Sequence, residues 1–281
     1  MLPKISIITP SYNQGRYIEQ TITSVLTQNY PNLEYIIIDG GSSDETIEII
    51  KRYQHQLTYW VSEKDNGQGD AINKGLRKAS GDIVAWLNSD DWYEKDALIT
   101  VGNCWLKNQP FDVFQGEARF YFEDDEGKNF VTTYNEGATL ERLLKYWSYD
   151  KDCNPPQPSV FIRRSLFEQL GLLDTHFHYA MDYDLWLKMV TTGHKFYYEP
   201  KLLSNYRFHN TSKSGTKLDF KHFHKEWHEV FEKNILKIPF WKRVKYYWSY
   251  TGFYYGYSKL LWPKRIFRLL LRGNIKESKF S

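Results

Sequence analysis

The tetrapeptide Asn88-Ser89-Asp90-Asp91 directly follows the apolar run Ile83-Val84-Ala85-Trp86-Leu87. Hard divalent cations such as Mg2+ and Mn2+ want oxygen ligands. A diphosphate brings several of its own, so one or two carboxylates at a strand end suffice to hold such a metal. The competing reading of these four residues is an acidic surface turn. A second acid, Asp39, follows the apolar run 35–38, where a carboxylate can accept hydrogen bonds from a nucleobase or a ribose. Turn chemistry offers the alternative of an aspartate that caps a helix, a task that Asp44 suits better. The segment Asp65-Asn66-Gly67-Gln68-Gly69-Asp70 precedes a helical pattern; helix starts host phosphate, although Asp70 opposes an anion there.

These groups need a scaffold that brings strand ends together, and the pattern supplies one. Apolar strand-like runs at 5–9, 35–38, 57–62 and 83–87 alternate with amphipathic helical stretches. The helices are expected near 18–26, from 45, over 71–79 and over 95–108. That alternation predicts an α/β fold with a mostly parallel central sheet flanked by helices. Open sheets of this kind bind ligands at the carboxyl ends of their strands, where the polar residues gather. Further on, the pattern predicts two or three short strands within 111–135, a strand at 159–162 and helices at 165–170 and 184–192. Two more strands are expected, at 195–198 and 204–208.

At 281 residues the chain can bury one substantial core and carry a small extension. Its two cysteines show neither a disulfide framework nor zinc-ligand spacing. The net charge of +3 hides an asymmetry: from Lys233 onward there are 12 Lys/Arg against the single acid Glu277, so the rest of the chain is acidic. The chain enters a strand almost at once, leaving no room for a signal peptide, and holds no apolar run of spanning length. A cytoplasmic protein is expected.

Four segments occur in a telling order: Thr9-Pro10-Ser11-Tyr12-Asn13, Asp39-Gly40-Gly41-Ser42-Ser43-Asp44, Asn88-Ser89-Asp90-Asp91 and Met181-Asp182-Tyr183-Asp184-Leu185-Trp186. Over residues 3–210 the chain thereby resembles family 2 glycosyltransferases of the GT-A fold, in particular those of bacterial polysaccharide and O-antigen assembly. The resemblance implies transfer of a sugar from a nucleotide-diphosphate donor, a UDP-sugar by preference, to an acceptor hydroxyl, with inversion. It implies Asp39 at the nucleobase, with Pro10, Tyr12, Asp65, Gln68, Asn88 and Ser89 completing the nucleotide-sugar site. The DxD motif of the family falls on Asn88-Ser89-Asp90, so Asn88 departs from it and brings no charge. Asp90 is then the principal ligand of Mg2+ or Mn2+, with Asp91 in support. A late histidine often completes such a metal site, which points to His209. Catalysis needs a carboxylate to take the acceptor proton. In the family this is the second member of a Glu-Asp pair, which reads Met181-Asp182 here and assigns the base to Asp182, with Asp184 structural. For both aspartates helix capping is the competing view. Arg207 is placed near the diphosphate, and Gln157, Pro158 and Ser159 resemble an acceptor-side loop.

The resulting layout is a catalytic domain over 1–215, with a nucleotide-sugar half at 1–110 and an acceptor half at 111–215. A helical basic and aromatic extension follows at 216–281. In the extension Phe240, Trp241, Val244, Tyr247 and Trp248 interleave with Lys242, Arg243 and Lys245, which suits a helix on an anionic membrane surface. Such a helix would bring the site to a glycan or lipid-linked acceptor; packing on the catalytic domain or on a second copy is the alternative. A nucleotidyltransferase is disfavoured because residues 10–15 hold no lysine and no arginine on the phosphate side. A non-catalytic carbohydrate- or nucleic-acid-binding protein leaves the ordered acids without a task, and no nucleic-acid partner is expected.

Overall fold

A computed structural model of the chain describes residues 1–107, 111–124, 129–134, 136–145, 154–213, 220–241 and 243–244. Its N-terminal half is built on four parallel strands, β1 (Ile5–Ser11), β2 (Leu33–Asp39), β3 (Tyr59–Ser62) and β4 (Ile83–Trp86). They lie in the spatial order β3-β2-β1-β4. Both β1 and β4 are buried along their whole length, as expected of strands covered on both faces. Alternate residues feed two cores. Ile5, Ile7, Tyr35 and Ile37 pack under α1 (Gly15–Leu26), α2 (Thr46–Tyr53) and α4 (Ala97–Lys107), whereas Ile8, Ile36, Ile38 and Trp86 pack under α3 (Gln68–Lys78). The last contact is close: a Cβ on Gly75 would lie 2.4 Å from Ile8 Cγ2. Only glycine lets α3 settle there.

The parallel arrangement predicted from the sequence holds for this half, and the remainder of the sheet is mixed. It continues from β4 through β8 (Val160–Arg163), β6 (Val113–Phe122), β9 (Phe196–Phe208) and β5 (Trp92–Tyr93), with β7 (Phe130–Val131) paired to β6. β8 runs antiparallel to both β4 and β6, while β6 and β9 run parallel. Two expectations change here. The short strands of 111–135 are mainly one ten-residue strand, and 195–198 and 204–208 are one thirteen-residue strand. Gly116 and Pro200 read as breaks in sequence, yet the register between β6 and β9 shifts at that point instead of ending. A bulge absorbs the irregular residues and pairing resumes beyond it.

Helices α6 (Ser165–Leu170), α7 (Met181–Thr191) and α8 (Phe220–Ile235) cover the second core beside the four-residue α5 (Leu140–Leu143). Helix α8 falls in the stretch expected to be a separate extension. It instead contributes Trp227, Val230, Phe231 and Ile235 to the same core as α3 and α7. Beyond it Phe240 and Trp241 are exposed, and the rest of the basic aromatic segment, including Tyr247, Trp248 and residues 259–272, lies outside the described residues. Among the described residues no helix is long and apolar enough to cross a membrane.

Candidate active site

The carboxyl ends of β1–β4 and the loops of the second half enclose a cavity of about 900 Å³. Pro10, Tyr12, Asp65, Gln68, Asn88, Ser89, Asp90 and Asp182 all line it. The structure therefore gathers most of the predicted site residues from four separate segments.

Asp39 is the exception on the donor side. It is fully buried, and its carboxylate accepts from Gly41 N–H (3.1 Å), Ser42 N–H (2.9 Å), Ser42 Oγ and Ser62 Oγ (2.6 Å). Its oxygens serve the loop; Gly40 and Gly41 of that loop line the cavity in its place. Asp44 accepts from Thr46 N–H and Gly15 N–H, joining the starts of α2 and α1. Asp65 accepts from Gly67 N–H at 2.8 Å, which shapes the turn into α3. Gly67 there has φ +100°, a conformation reserved for glycine. That turn starts α3 at Gln68, three residues before the apolar pattern begins.

Asn88 sits at the centre of an amide network. Its Oδ1 accepts from Gln68 Nε2 (2.6 Å), and its Nδ2 donates to Asp91 Oδ2 (3.2 Å) and Gln157 Oε1 (3.2 Å). Gln157 in turn donates to the Trp86 carbonyl at 2.7 Å. An aspartate at 88 could make neither donation, so the departure from DxD has a structural reason. Gln157 lines the cavity, but this network uses both ends of its amide. Ser159 is fully buried and donates to the Glu117 carbonyl, so it holds strands together rather than facing an acceptor.

Asp91 lines the cavity and has protein partners on both oxygens. Buried at 1% exposure, it accepts from Arg207 N–H (2.9 Å) and from Asn88. Burial and then the charge of Asp90 raise its pKa. Arg207 too has partners within the protein. Its guanidinium donates to the Asp90 carbonyl (2.9 Å) and to Gln20, and lies over the rings of Trp92, Tyr17 and Tyr121 at 4.5, 4.9 and 5.7 Å. It braces the Asp90 turn and also lines the cavity. His209, by contrast, meets Asp90 as expected: Nε2 lies 3.0 Å from Oδ2 across 119 residues of sequence. Thr211 Oγ1 lies 2.9 Å from His209 Nδ1. The Thr211 N–H donates to the same nitrogen at 3.3 Å, so Nδ1 accepts and the Nε2–H points at Asp90; a cation held there would take the place of that proton.

Asp182 occupies the first turn of α7, where the helix dipole favours a carboxylate. Burial nevertheless raises its pKa to about 6, a value suited to proton transfer near neutrality. Helix α7 starts at Met181, earlier than its local sequence predicts, because Glu226 of α8 accepts from Tyr179 N–H (2.6 Å) and Ala180 N–H (3.1 Å). Asp184, fully buried, is held by Lys233 and Lys188 and is structural, as expected. Two side chains at or beside the site escape the sequence reading, Lys213 in the cavity lining and Glu226 at the start of α7. Glu226 looks like a surface acid on an amphipathic helix, and Lys213 lies in a turn with no periodicity; no local signal marks either.

A family model described as glycosyl transferase family 2 matches residues 6–171. The putative teichuronic acid biosynthesis glycosyltransferase TuaG of Bacillus subtilis (strain 168) is 31% identical over 257 residues, which cover 87% of this chain and 94% of that protein. S. aureus TarS 1–349 in complex with UDP-GlcNAc aligns with a TM-score of 0.68 at 17% identity, over 96% of this chain and 79% of that one. The mannosyltransferase PcManGT from Pyrobaculum calidifontis, in complex with GDP-Man and Mn2+, gives 0.57 at 18%, over 97% and 74%. The two structural likenesses show the shared GT-A fold. The chain belongs to glycosyl transferase family 2, and it is a glycosyltransferase.

Proposed function

We propose that the cavity binds a nucleoside diphosphate sugar, with uridine as its base, and transfers a hexosyl or N-acetylhexosaminyl group to an acceptor hydroxyl with inversion. The UDP-GlcNAc held by TarS supports the donor class. The similarity to TuaG supports a glycan or lipid-linked glycan acceptor in bacterial cell-surface polysaccharide assembly. The observation that carries the reading is a proton-holding carboxylate, Asp182, in one cavity with the Asp90–His209 pair.

The nucleotide end falls to Pro10, Tyr12, Gly40 and Gly41, with Asp39 bracing that loop from beneath. Asp65, Gln68 and the Asn88 amide set the wall on which the diphosphate and sugar lie. Among the described residues no group of three or more His, Cys, Asp or Glu side chains gathers to hold a metal, so the described residues would supply two ligands at most. Asp90 Oδ2 and His209 Nε2 lie 3.0 Å apart, and a carboxylate oxygen and an imidazole nitrogen are donor types that such a metal would accept. The diphosphate would supply further oxygens. Bound there, Mg2+ or Mn2+ supplies Lewis-acid neutralisation of the departing diphosphate. Arg207 holds the Asp90 turn in register for this task. Asp182 takes the acceptor proton as the hydroxyl oxygen attacks the anomeric carbon.

The test is release of nucleoside diphosphate from UDP-, GDP- and dTDP-sugars with Mn2+, comparing the wild type with Asp182→Asn. The variant should lose about 10²–10⁴-fold in turnover while the donor still raises its melting temperature as in the wild type. Undiminished turnover removes Asp182 from the role of base.

A further inference from the structure

The cavity holds more acids than cations free to meet a diphosphate. Asp65, Asp90 and Asp182 line it, whereas Arg207 is caged by rings and hydrogen bonds and Lys64 is exposed. Lys213 stands apart from both. It lines the same cavity, half-buried. Among the described residues it makes no ion pair, and its Nζ donates only to the His178 carbonyl, at a long 3.3 Å. The charges of Glu226, Asp182, Asp90 and Asp65 all act on it, in that order, while burial, the largest influence, lowers its pKa to about 8. Lys213 thus shares one cavity with the group proposed for the acceptor proton and the group proposed for the metal, the cavity in which the bond to the leaving group would break.

We propose that Lys213 is a further catalytic residue, donating a hydrogen bond to the departing diphosphate of the donor. The inference rests on the donor reading above. As the acceptor oxygen bonds to the anomeric carbon, the bond from that carbon to the β-phosphate oxygen breaks. The electron pair stays on the diphosphate, which gains one unit of negative charge. The hydroxyl proton goes to Asp182, and Lys213 keeps its own proton throughout. An ammonium in a confined cavity stabilises charge that develops more than charge already present, so its effect falls on the transition state and on the nucleoside diphosphate product.

The experiment uses the full chain with Mn2+, with UDP, GDP and dTDP as probes, each paired with its monophosphate, in titration calorimetry. Lys213→Met should bind the preferred diphosphate about ten- to a hundredfold more weakly than the wild type, the range for a charge-assisted hydrogen bond. The matching monophosphate lacks the phosphate that leaves with the broken bond, and its affinity should change by less than about threefold. Lys213→Arg keeps the charge and should retain most of the diphosphate affinity. Equal diphosphate binding by the wild type and Lys213→Met overturns the assignment. An equal loss of monophosphate and diphosphate overturns it as well, because it marks a structural role. A wild-type chain that binds none of the three diphosphates overturns the donor reading, and this inference with it.

Discussion

Restoring the missing aspartate of the DxD motif, Asn88→Asp, should destabilise this protein rather than improve it. The Asn88 Nδ2 donor lies 3.2 Å from Asp91 Oδ2 and 3.2 Å from Gln157 Oε1. Aspartate replaces that donor with an oxygen facing a carboxylate that is 1% exposed. Two carboxylate centres about 4 Å apart repel by ~4 kcal/mol at an effective dielectric of 20, and two hydrogen bonds worth about 1 kcal/mol each are lost. Proton uptake caps the repulsion. Burial and Asp90 already raise the pKa of Asp91, so the pair can bind one proton at moderate cost. The net loss should be about 2–4 kcal/mol at pH 8. The sign of the pH dependence follows from linkage. The folded variant holds a proton that the unfolded chain releases above about pH 4, so its deficit grows as pH rises and shrinks toward pH 5. Urea unfolding of wild type and variant at pH 5 and pH 8, followed by tryptophan fluorescence, measures both quantities. A variant as stable as the wild type at pH 8, or a deficit independent of pH, refutes the reasoning.

Two further outcomes follow from the site. Burial raises the pKa of Asp182 to about 6, so kcat/KM for the donor should fall tenfold per pH unit below about 6; a profile flat to pH 5 argues against ionised Asp182 as the base. Trp227 stacks on Tyr183 at 4.3 Å and 7° and is 7% exposed. Trp227→Ala should therefore cost about 3 kcal/mol or more of stability, measured by the urea midpoint, and a loss below about 1 kcal/mol would mean that α8 is not integral to the core.

What the sequence made legible was whatever a short window contains. The strands β1, β2 and β4 are continuous apolar runs, and Asp90 follows the last of them directly. Asp182 was reachable through the Asp-Leu-Trp context that follows it. What a short window does not show is a partner distant in the chain. Asp39 looks exposed in its turn, but Ser62, 23 residues away, helps close the turn over it. Arg207 gives no sign in sequence of Trp92, Tyr17 and Tyr121, which close around it. The gap expected between strands 195–198 and 204–208 vanishes because the pairing of β6 with β9 absorbs a register shift around Glu117. Helix α7 begins early on account of Glu226, an acceptor 46 residues downstream of Ala180.

The distribution of these groups along the chain explains how one cavity serves two tasks. The family match ends at residue 171, and within it lie the strand ends, the Asn88 network and Asp90. Asp182, Arg207, His209, Lys213 and Glu226 all come later. Each reaches back: His209 to Asp90, the Arg207 backbone to Asp91, and Lys213 to the field of Asp182 and Asp90. The proposed donor wall is thus set by the parallel half of the sheet, while the proposed proton acceptor and its surroundings are set by β9, α7 and α8. Tyr183 ties the two later helices to the core, stacking on Trp227 and donating to the Leu143 carbonyl at 2.9 Å. Glu226, one residue before Trp227, fixes the amides that precede Asp182. The same helix that completes the core therefore fixes the start of α7 on which Asp182, the proposed base, sits, which couples the packing of α8 to the placement of that carboxylate.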